Sequence, residues 1–133
     1  MLRLAPSWVV SAEGVHLLSQ WHAPEVQDWL AISRQTLSVW MQQLQLALAQ
    51  RGWTHQPTCT PFCVAQPPAE LARHLTALTA HLRAQGLKWR DTSSLGLPGT
   101  VRLRAHEPAA QQALLSAVDD WADAQLKSTR SAA

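Results

Sequence analysis

Apolar residues recur at steps of three and four over the first fifty positions, the spacing of one face of an α-helix. Ser11 stands where an N-cap is favoured, and a first helix is predicted from there to about Trp21. Pro24 suits the first position of a second helix, which is long and ends near Gln50, before the helix-terminating Gly52. The pattern therefore predicts a mainly helical first part.

The long helix carries two apolar stripes. The first stripe consists of Val26, Trp29/Leu30, Leu37, Trp40/Met41, Leu44 and Ala47/Leu48. Ile32, Val39 and Leu46 recur every seven residues and lie nearly opposite the first stripe. Two interpretations stay open: the helix is sandwiched inside one domain, or one of its sides contacts another domain or subunit.

After Gly52 the pattern changes to short segments rich in β-forming residues. Trp53–Pro57 and Thr60–Val64 are predicted to be two edge-like strands or one hairpin, because proline interrupts both. A third helix begins at the prolines that precede Ala69 and ends at Gly86, with leucines along one face.

Two further strands and a last helix complete the pattern. Leu87–Asp91 is predicted to be a short strand, and Thr100–Ala105 alternates apolar and polar residues most cleanly. The segment between them contains Gly96, Pro98 and Gly99 and is predicted to be a loop. Pro108 begins the last helix.

The order of elements predicts an α+β fold: a two-layer domain with a small antiparallel sheet of three to four strands, helices packed on one face, and a preceding long helix. Residues 1–126 are predicted to be a single domain, in which 1–52 form the helical part and 53–126 an α/β sandwich. Residues 127–133 are predicted to be a frayed tail.

Composition and charge exclude several classes of protein. The chain has 133 residues, of which 47% are hydrophobic, and this content argues against disorder. A formal net charge of +2 is too small to indicate a nucleic-acid partner or an anionic membrane. Because the sequence shows neither a convincing signal peptide nor a long apolar run, we expect a cytoplasmic protein with no membrane partner.

Metal-binding and catalytic motifs are weak. His55, Cys59 and Cys63 are spaced by four, but Pro57 and Pro61 lie between them and prevent the helix that would align them. Three ligands also fall short of a closed zinc site, so we expect no metal. No serine, histidine and aspartate set has a recognisable motif around it.

Arginine side chains offer the clearest candidate chemistry. Alternation places Arg102 and Arg104 on the face of their strand opposite Val101 and Leu103. These arginines either lie on the solvated side of a half-buried sheet or form a guanidinium site for a carboxylate or phosphate. Arg90 on the preceding strand could join them.

The segment Gly86–Arg104, GLKWRDTSSLGLPGTVRLR, resembles the C-terminal region of fold-type I pyridoxal-phosphate enzymes of the class I/II aminotransferase type. It is most similar to the branch that contains threonine-phosphate decarboxylase of cobalamin biosynthesis and histidinol-phosphate aminotransferase. Of these two enzymes, its sequence resembles the decarboxylase more. Other parts of the chain are similar to these enzymes only in their general pattern of residues: the segment Pro6–Ser11, the long helix and the strands after it. The resemblance thus covers nearly the whole chain.

This resemblance implies that Arg102 binds the substrate α-carboxylate and that Arg90 contacts the phosphate of a phosphorylated amino-acid substrate. Neither Lys88 nor Lys127 has the sequence context of the cofactor lysine. The large pyridoxal-phosphate-binding domain would precede residue 1, and the complete enzyme is expected to be a homodimer.

The chain alone is therefore expected to bind no cofactor and to be inactive. A histidinol-phosphate or other amino-acid aminotransferase domain is an alternative within the same family. A freestanding binding or assembly domain is an alternative of another class.

Overall fold

The computed structural model describes the backbone of residues 11–131 and the side chains up to residue 125. The segment Pro6–Ser11, which resembles part of the pyridoxal-phosphate enzymes, lies outside the described residues except for Ser11. The helices are α1 (Ala12–Gln20), α2 (Pro24–Gln50), α3 (Ala69–Ala72), α4 (Leu75–Ala84) and α5 (Pro108–Ser131). The strands are β1 (Thr54–His55), β2 (Phe62–Gln66), β3 (Arg90–Asp91) and β4 (Val101–Arg104). The predicted two-layer α+β fold is confirmed.

The first two helices begin and end where the sequence predicts. The Ser11 hydroxyl accepts a hydrogen bond from the Gly14 backbone N–H at 3.2 Å, the expected N-cap contact. At the end of α2, Gly52 adopts a positive φ of 73°, and the Trp53 N–H donates to the Leu48 carbonyl at 3.0 Å. Glycine accepts this left-handed conformation without a Cβ clash, so the chain can turn sharply there.

The third helix differs from the prediction because it is divided. Between α3 and α4, His74 has φ −111° and ψ 12°, outside the helical range. The apolar face continues across the break, because Leu71 of α3 packs against the core and Leu75, Leu78 and Leu82 of α4 are buried. The last helix continues to Ser131, so the first five residues of the predicted frayed tail have helical backbone.

β1, β3 and β4 are shorter than predicted, whereas β2 has the predicted length but lies two residues later in the chain. The sheet order is β1-β2-β4-β3 with all neighbours antiparallel. β2 begins at Phe62 rather than at residue 60. The Thr58 and Thr60 hydroxyls each lie within hydrogen-bond distance of the Phe62 carbonyl, at 2.9 Å, and of each other, at 2.8 Å. These alternative hydrogen bonds hold the residues before β2 in a turn. The cleanly alternating strand, β4, is central and pairs with two neighbours.

The core lies between one face of this sheet and three helices. The sheet contributes Cys63, Ala65, Val101 and Leu103, each no more than 4% exposed. Opposite them lie residues of α2, α4 and α5: Met41, Leu44, Leu48, Leu75, Leu78, Leu82, Leu115, Ala117, Val118 and Trp121. The helices therefore cover one face of the sheet and leave the other uncovered by these elements.

The chain divides into two compact units, Met1–Gln35 and Thr36–Ala133, and the second contains the sheet and the core. Within the first unit, no residue from Ser11 to Gln35 is buried. Trp29, a member of the first apolar stripe predicted on α2, is 65% exposed. The predicted single-domain range of 1–126 stays a prediction. No helix within residues 11–131 combines the length and apolarity needed to cross a bilayer.

Two of the seven tryptophans pack together in the core. The Trp53 and Trp89 rings lie 5.9 Å apart at an interplanar angle of 59°, a tilted arrangement that aromatic pairs favour. The Trp89 indole N–H donates to the Thr79 hydroxyl at 2.8 Å, which satisfies its polar atom inside the core. These contacts connect α4 to the segments that flank the sheet.

An ion pair links the end of α2 to α5. Arg51 Nε donates to Asp119 Oδ1 at 2.9 Å and the second Arg51 nitrogen, Nη2, donates to Oδ2 at 2.8 Å. Hydrogen bonding to this carboxylate raises the pKa of Arg51 above its usual value. The Asp119 side chain is 47% exposed, so solvent screens the pair and it stabilises the fold only modestly.

Replacing Asp119 with asparagine should lower the free energy of unfolding by about 0.5–1 kcal/mol, the range for exposed pairs. Urea denaturation of the variant and of the Asp120→Asn control, which removes the same charge from an exposed neighbour, checks this. A loss of more than about 2 kcal/mol would show that the pair behaves as a buried one.

Candidate anion-binding site

The uncovered face of the sheet presents two arginines at directly opposed positions. Arg90 of β3 pairs in register with Arg102 of β4. Arg102 also pairs with Val64 of β2, so all three side chains lie on the same face. We call Arg90 and Arg102 the arginine pair. Opposed residues of an antiparallel ladder have Cβ atoms about 4.5–5.5 Å apart.

The alternation of β4 positions this pair. Val101 is fully buried and Leu103 is 4% exposed, so the two residues anchor β4 on the core. The intervening Arg102 and the terminal Arg104 must then project from the other face, as the sequence predicts. Arg102 is half-buried and Arg104 is exposed.

Phe62 holds the Arg102 guanidinium from one side. The guanidinium carbon of Arg102 lies 5.2 Å from the centroid of the Phe62 ring, within the range of a cation–π contact. Phe62 pairs with Arg104 across the strands and therefore contacts Arg102 along a diagonal. Because the ring covers one face of the guanidinium, its N–H edge stays available to a planar anion.

The arginine pair has no acidic partner within residues 11–125. The ion pair that the structure shows in this range is the one between Arg51 and Asp119. Asp91 follows Arg90 but pairs with Val101, so it belongs to the opposite face. Its carboxylate accepts a hydrogen bond from the Ser93 N–H at 2.7 Å, and hydrogen bonding from Ser93 lowers its pKa. Opposed like charges destabilise a sheet, and a bound anion would relieve this repulsion.

A buried threonine fixes the loop that sets this register. Thr92 is fully buried, and its hydroxyl donates to the carbonyls of Leu97 at 3.0 Å and Thr100 at 2.9 Å as alternative acceptors. The Thr92 and Thr100 hydroxyls also lie within hydrogen-bond distance of each other. These contacts join the end of β3 to the start of β4, and the loop therefore keeps Arg90 opposite Arg102.

The structure brings together the two predicted substrate-binding residues, Arg90 and Arg102, while their roles toward a substrate stay predictions. It also shows Phe62, which sequence analysis assigned only to a strand. The residues of the weak metal motif are not assembled: Cys63 is buried and Cys59 is exposed. Burial raises the pKa of the Cys63 thiol. Among the residues that the structure describes, no group of three candidate ligands could hold a metal ion.

Lys88 does not have the surroundings of a cofactor lysine. It lines a cavity of about 240 Å³ together with Arg104 and His106, and no carboxylate lines that cavity. The fold-type I enzymes that the sequence resembles pair the pyridoxal ring nitrogen with an acidic residue. Lys88 therefore lacks that surrounding, and the side chain of Lys127 lies outside the described residues.

Phe62→Leu should weaken binding of inorganic phosphate by about two- to fivefold, because it removes the aromatic face and keeps an apolar side chain of similar size. Phe62→Tyr keeps the ring and should bind as the unmodified protein does. NMR titration of each variant measures the affinity. Equal affinity of the leucine variant would show that the ring does not position Arg102.

Comparisons with known proteins support the fold alone. No family model and no curated protein matches the sequence. A solved structure from Burkholderia pseudomallei, described as a "putative aminotransferase", matches with a TM-score of 0.54 at 18% identity. The match covers 65% of this chain and 25% of that chain, so this chain corresponds to about a quarter of its neighbour. The matched part of the chain therefore has an aminotransferase-like fold.

Proposed function

We propose that this chain is the C-terminal small domain of a pyridoxal-phosphate-dependent, aminotransferase-like enzyme and that Arg102 binds the α-carboxylate of its amino-acid substrate. The observation that carries the proposal is the half-buried Arg102, stacked on Phe62 and without an acidic partner among residues 11–125. The fold shared with a quarter of an aminotransferase-like neighbour supports it. The cofactor, its lysine and its acidic partner belong to a large domain in this proposal.

The chemical role of Arg102 is binding and orientation. A guanidinium donates two parallel N–H bonds to a carboxylate, which fixes both the position and the plane of that group. The fixed carboxylate in turn orients the Cα of the substrate relative to a group held by the other domain. Orientation of this kind contributes to rate because it removes rotational freedom before the reaction.

Arg90 is proposed to contact a substrate phosphate, which narrows the substrate to a phosphorylated amino acid. O-Phosphothreonine carries two anionic groups, a carboxylate and a phosphate, a few bonds apart. Arg90 and Arg102, which lie opposite each other in the sheet, provide one cation for each of these groups. Threonine-phosphate decarboxylase of cobalamin biosynthesis is therefore the proposed activity. Histidinol phosphate carries a phosphate and no carboxylate, so in a histidinol-phosphate aminotransferase Arg102 would bind the carboxylate of the 2-oxo acid that accepts the amino group.

The experiment is an assay of the native protein that carries this segment, purified with an antibody raised against residues 36–125. It measures CO₂ release from O-phosphothreonine and amino transfer from histidinol phosphate to a 2-oxo acid. We expect CO₂ release. Amino transfer alone would assign the aminotransferase branch, and the absence of both reactions in a protein that contains pyridoxal phosphate would overturn the substrate class.

Exposed apolar residues of α2 favour a second candidate, a binding or assembly domain. In the second unit, Val39 is 46% exposed and Leu46 is 66% exposed. Ile32, the third residue of the predicted stripe, belongs to the first unit and is 64% exposed. The two positions in the second unit, Val39 and Leu46, suit a covering partner, either the large domain or a second copy in the proposed homodimer.

Light scattering tests the second candidate, an assembly domain, by measuring the mass of the chain in solution. Val39→Asp should reduce the mass of an oligomer formed through this stripe, while Ser38→Asp, a neighbouring exposed position, should not. If the unmodified chain is already monomeric, or if Val39→Asp leaves its mass unchanged, assembly through this stripe is eliminated.

A further inference from the structure

A cavity beside the end of β4 is lined by basic and apolar residues, and neither residue of the arginine pair lines it. We call its basic residues, Lys88, Arg104 and His106, the rim and its leucines, Leu44, Leu103 and Leu114, the floor. We propose that this cavity, bordered by Lys88, Arg104 and His106, binds a small amphipathic anion: a carboxylate or phosphate attached to one ring or a short apolar chain. This proposal does not depend on the function proposed above.

The cavity is large enough for more than a bare ion. Its volume is about 240 Å³, and Leu44, Leu103 and Leu114 line it. An apolar protein cavity of about 150 Å³ accommodates benzene. The space here therefore admits a single ring together with a charged group. The apolar lining favours such a ligand over inorganic phosphate, because burying its ring removes apolar surface from water.

The charge at the rim has one sign. Lys88 and Arg104 both line the cavity, and both residues are exposed to solvent. His106 adds a ring N–H donor. No carboxylate lines the cavity: Glu107 follows His106 in the chain but is not part of the lining. Basic residues that line one cavity without an acid repel each other, and a bound anion would relieve that repulsion.

A buried amide holds the rim in place. Gln111 is 7% exposed, and its Nε2 donates to the His106 carbonyl at 2.6 Å and to the Trp40 carbonyl at 3.0 Å. The Ala105 N–H donates to the Pro61 carbonyl at 2.8 Å on the other side. The segment between β4 and α5 is thus tied to α2 and to the start of β2. A rim fixed in this way loses little conformational freedom when a ligand binds.

The shape of the cavity separates its ligand from that of the arginine pair. Arg90 and Arg102 lie on an open sheet face next to Phe62 and Val64, and this face accepts an anion without enclosing the rest of the molecule. The lining of the cavity instead combines basic and apolar residues. A ligand that combines a ring with an anion should therefore prefer the cavity.

The experiment titrates the isotopically labelled 133-residue chain with phenyl phosphate and follows backbone amides by NMR. Benzyl alcohol tests the ring without the charge, and inorganic phosphate tests the charge without the ring. We expect phenyl phosphate to shift the amides of residues 103–111 and of Leu44. We also expect it to bind at least about fivefold more tightly than either control, since charge-assisted hydrogen bonds and ring burial both contribute.

Variants locate the bound anion. Lys88→Gln and Arg104→Gln should each weaken phenyl phosphate about fivefold or more. Leu114→Trp, which fills the floor, should abolish binding, and Arg102→Gln should leave the affinity within about twofold. Because Lys88 is exposed, we expect Lys88→Gln to fold. This variant therefore tests whether the anion binds in the cavity even if another variant fails to fold.

Three results would overturn the proposal. Equal binding of benzyl alcohol would show an apolar cavity without anion recognition. Loss of affinity in Arg102→Gln but not in Lys88→Gln would place the anion on the arginine pair. Unchanged affinity in both Lys88→Gln and Arg104→Gln would exclude the cationic rim.

Discussion

Replacing Arg102 with glutamine should weaken binding of O-phosphothreonine about 10- to 100-fold, as NMR titration of the chain would measure. A charge-assisted bidentate contact contributes about 1.5–3 kcal/mol, and each 1.4 kcal/mol corresponds to a factor of about ten. Arg102→Lys keeps the charge but loses the planar fork, so its affinity should lie between those of the glutamine variant and the unmodified chain.

Arg34→Gln is the matched control for this experiment. Arg34 is exposed in the first unit, and its removal changes the net charge of the chain by the same amount. Its affinity should stay within about twofold of the unmodified chain, because Arg34 is not part of the arginine pair and solvent screens its charge. In the complete enzyme, kcat/KM should fall with Arg102→Ala. A change of less than about threefold, below ~1 kcal/mol of transition-state binding, would contradict the assignment.

The largest loss of stability is expected for Leu78→Ala. Leu78 is fully buried in α4, within the core that α4 shares with the sheet. Deleting most of its side chain removes apolar burial and leaves a cavity, which together cost about 2–5 kcal/mol. A domain of this size has a total stability of about 5–15 kcal/mol, so the variant should lose a large share of it.

Urea denaturation of this variant and of Leu97→Ala tests the position of the core. Leu97 is 46% exposed in the loop before β4, so the same chemical change there should cost less than about 1 kcal/mol. If Leu78→Ala costs no more than Leu97→Ala, then α4 does not pack on the sheet as the structure shows.

Sequence patterning predicted the elements whose signals are local. The N-cap at Ser11, the proline at Pro24 and the glycine at Gly52 define α1 and α2 to within a residue or two of their observed ends. The clean alternation of β4 predicted which face carries Arg102. These signals work because capping, φ restriction and side-chain alternation act over a few residues.

Non-local features could not be predicted in the same way. β1 and β3 each have two residues, too few to show any alternation. The central position of β4 follows from its pairing with β2, which is about forty residues earlier in the chain. Long-range pairing depends on how the helices cover the sheet, and no short window of sequence contains this information.

The same limit applies to the candidate sites. Alternation placed Arg102 and Arg104 on one face, but only the register shows Arg90 opposite Arg102. The contact of Phe62 with Arg102 joins residues on two strands, and the ion pair of Arg51 with Asp119 spans 68 positions. The cavity near Lys88 requires side chains from α2, β4 and α5.

The size of the native protein tests most directly whether this chain is a domain of a larger enzyme. An antibody raised against residues 36–125 is used to probe an extract of the source organism. The proposal predicts a band at more than twice the 14.7 kDa of this chain, because a large cofactor-binding domain belongs to the same protein. A single band at 14.7 kDa would contradict it and would favour a freestanding binding domain.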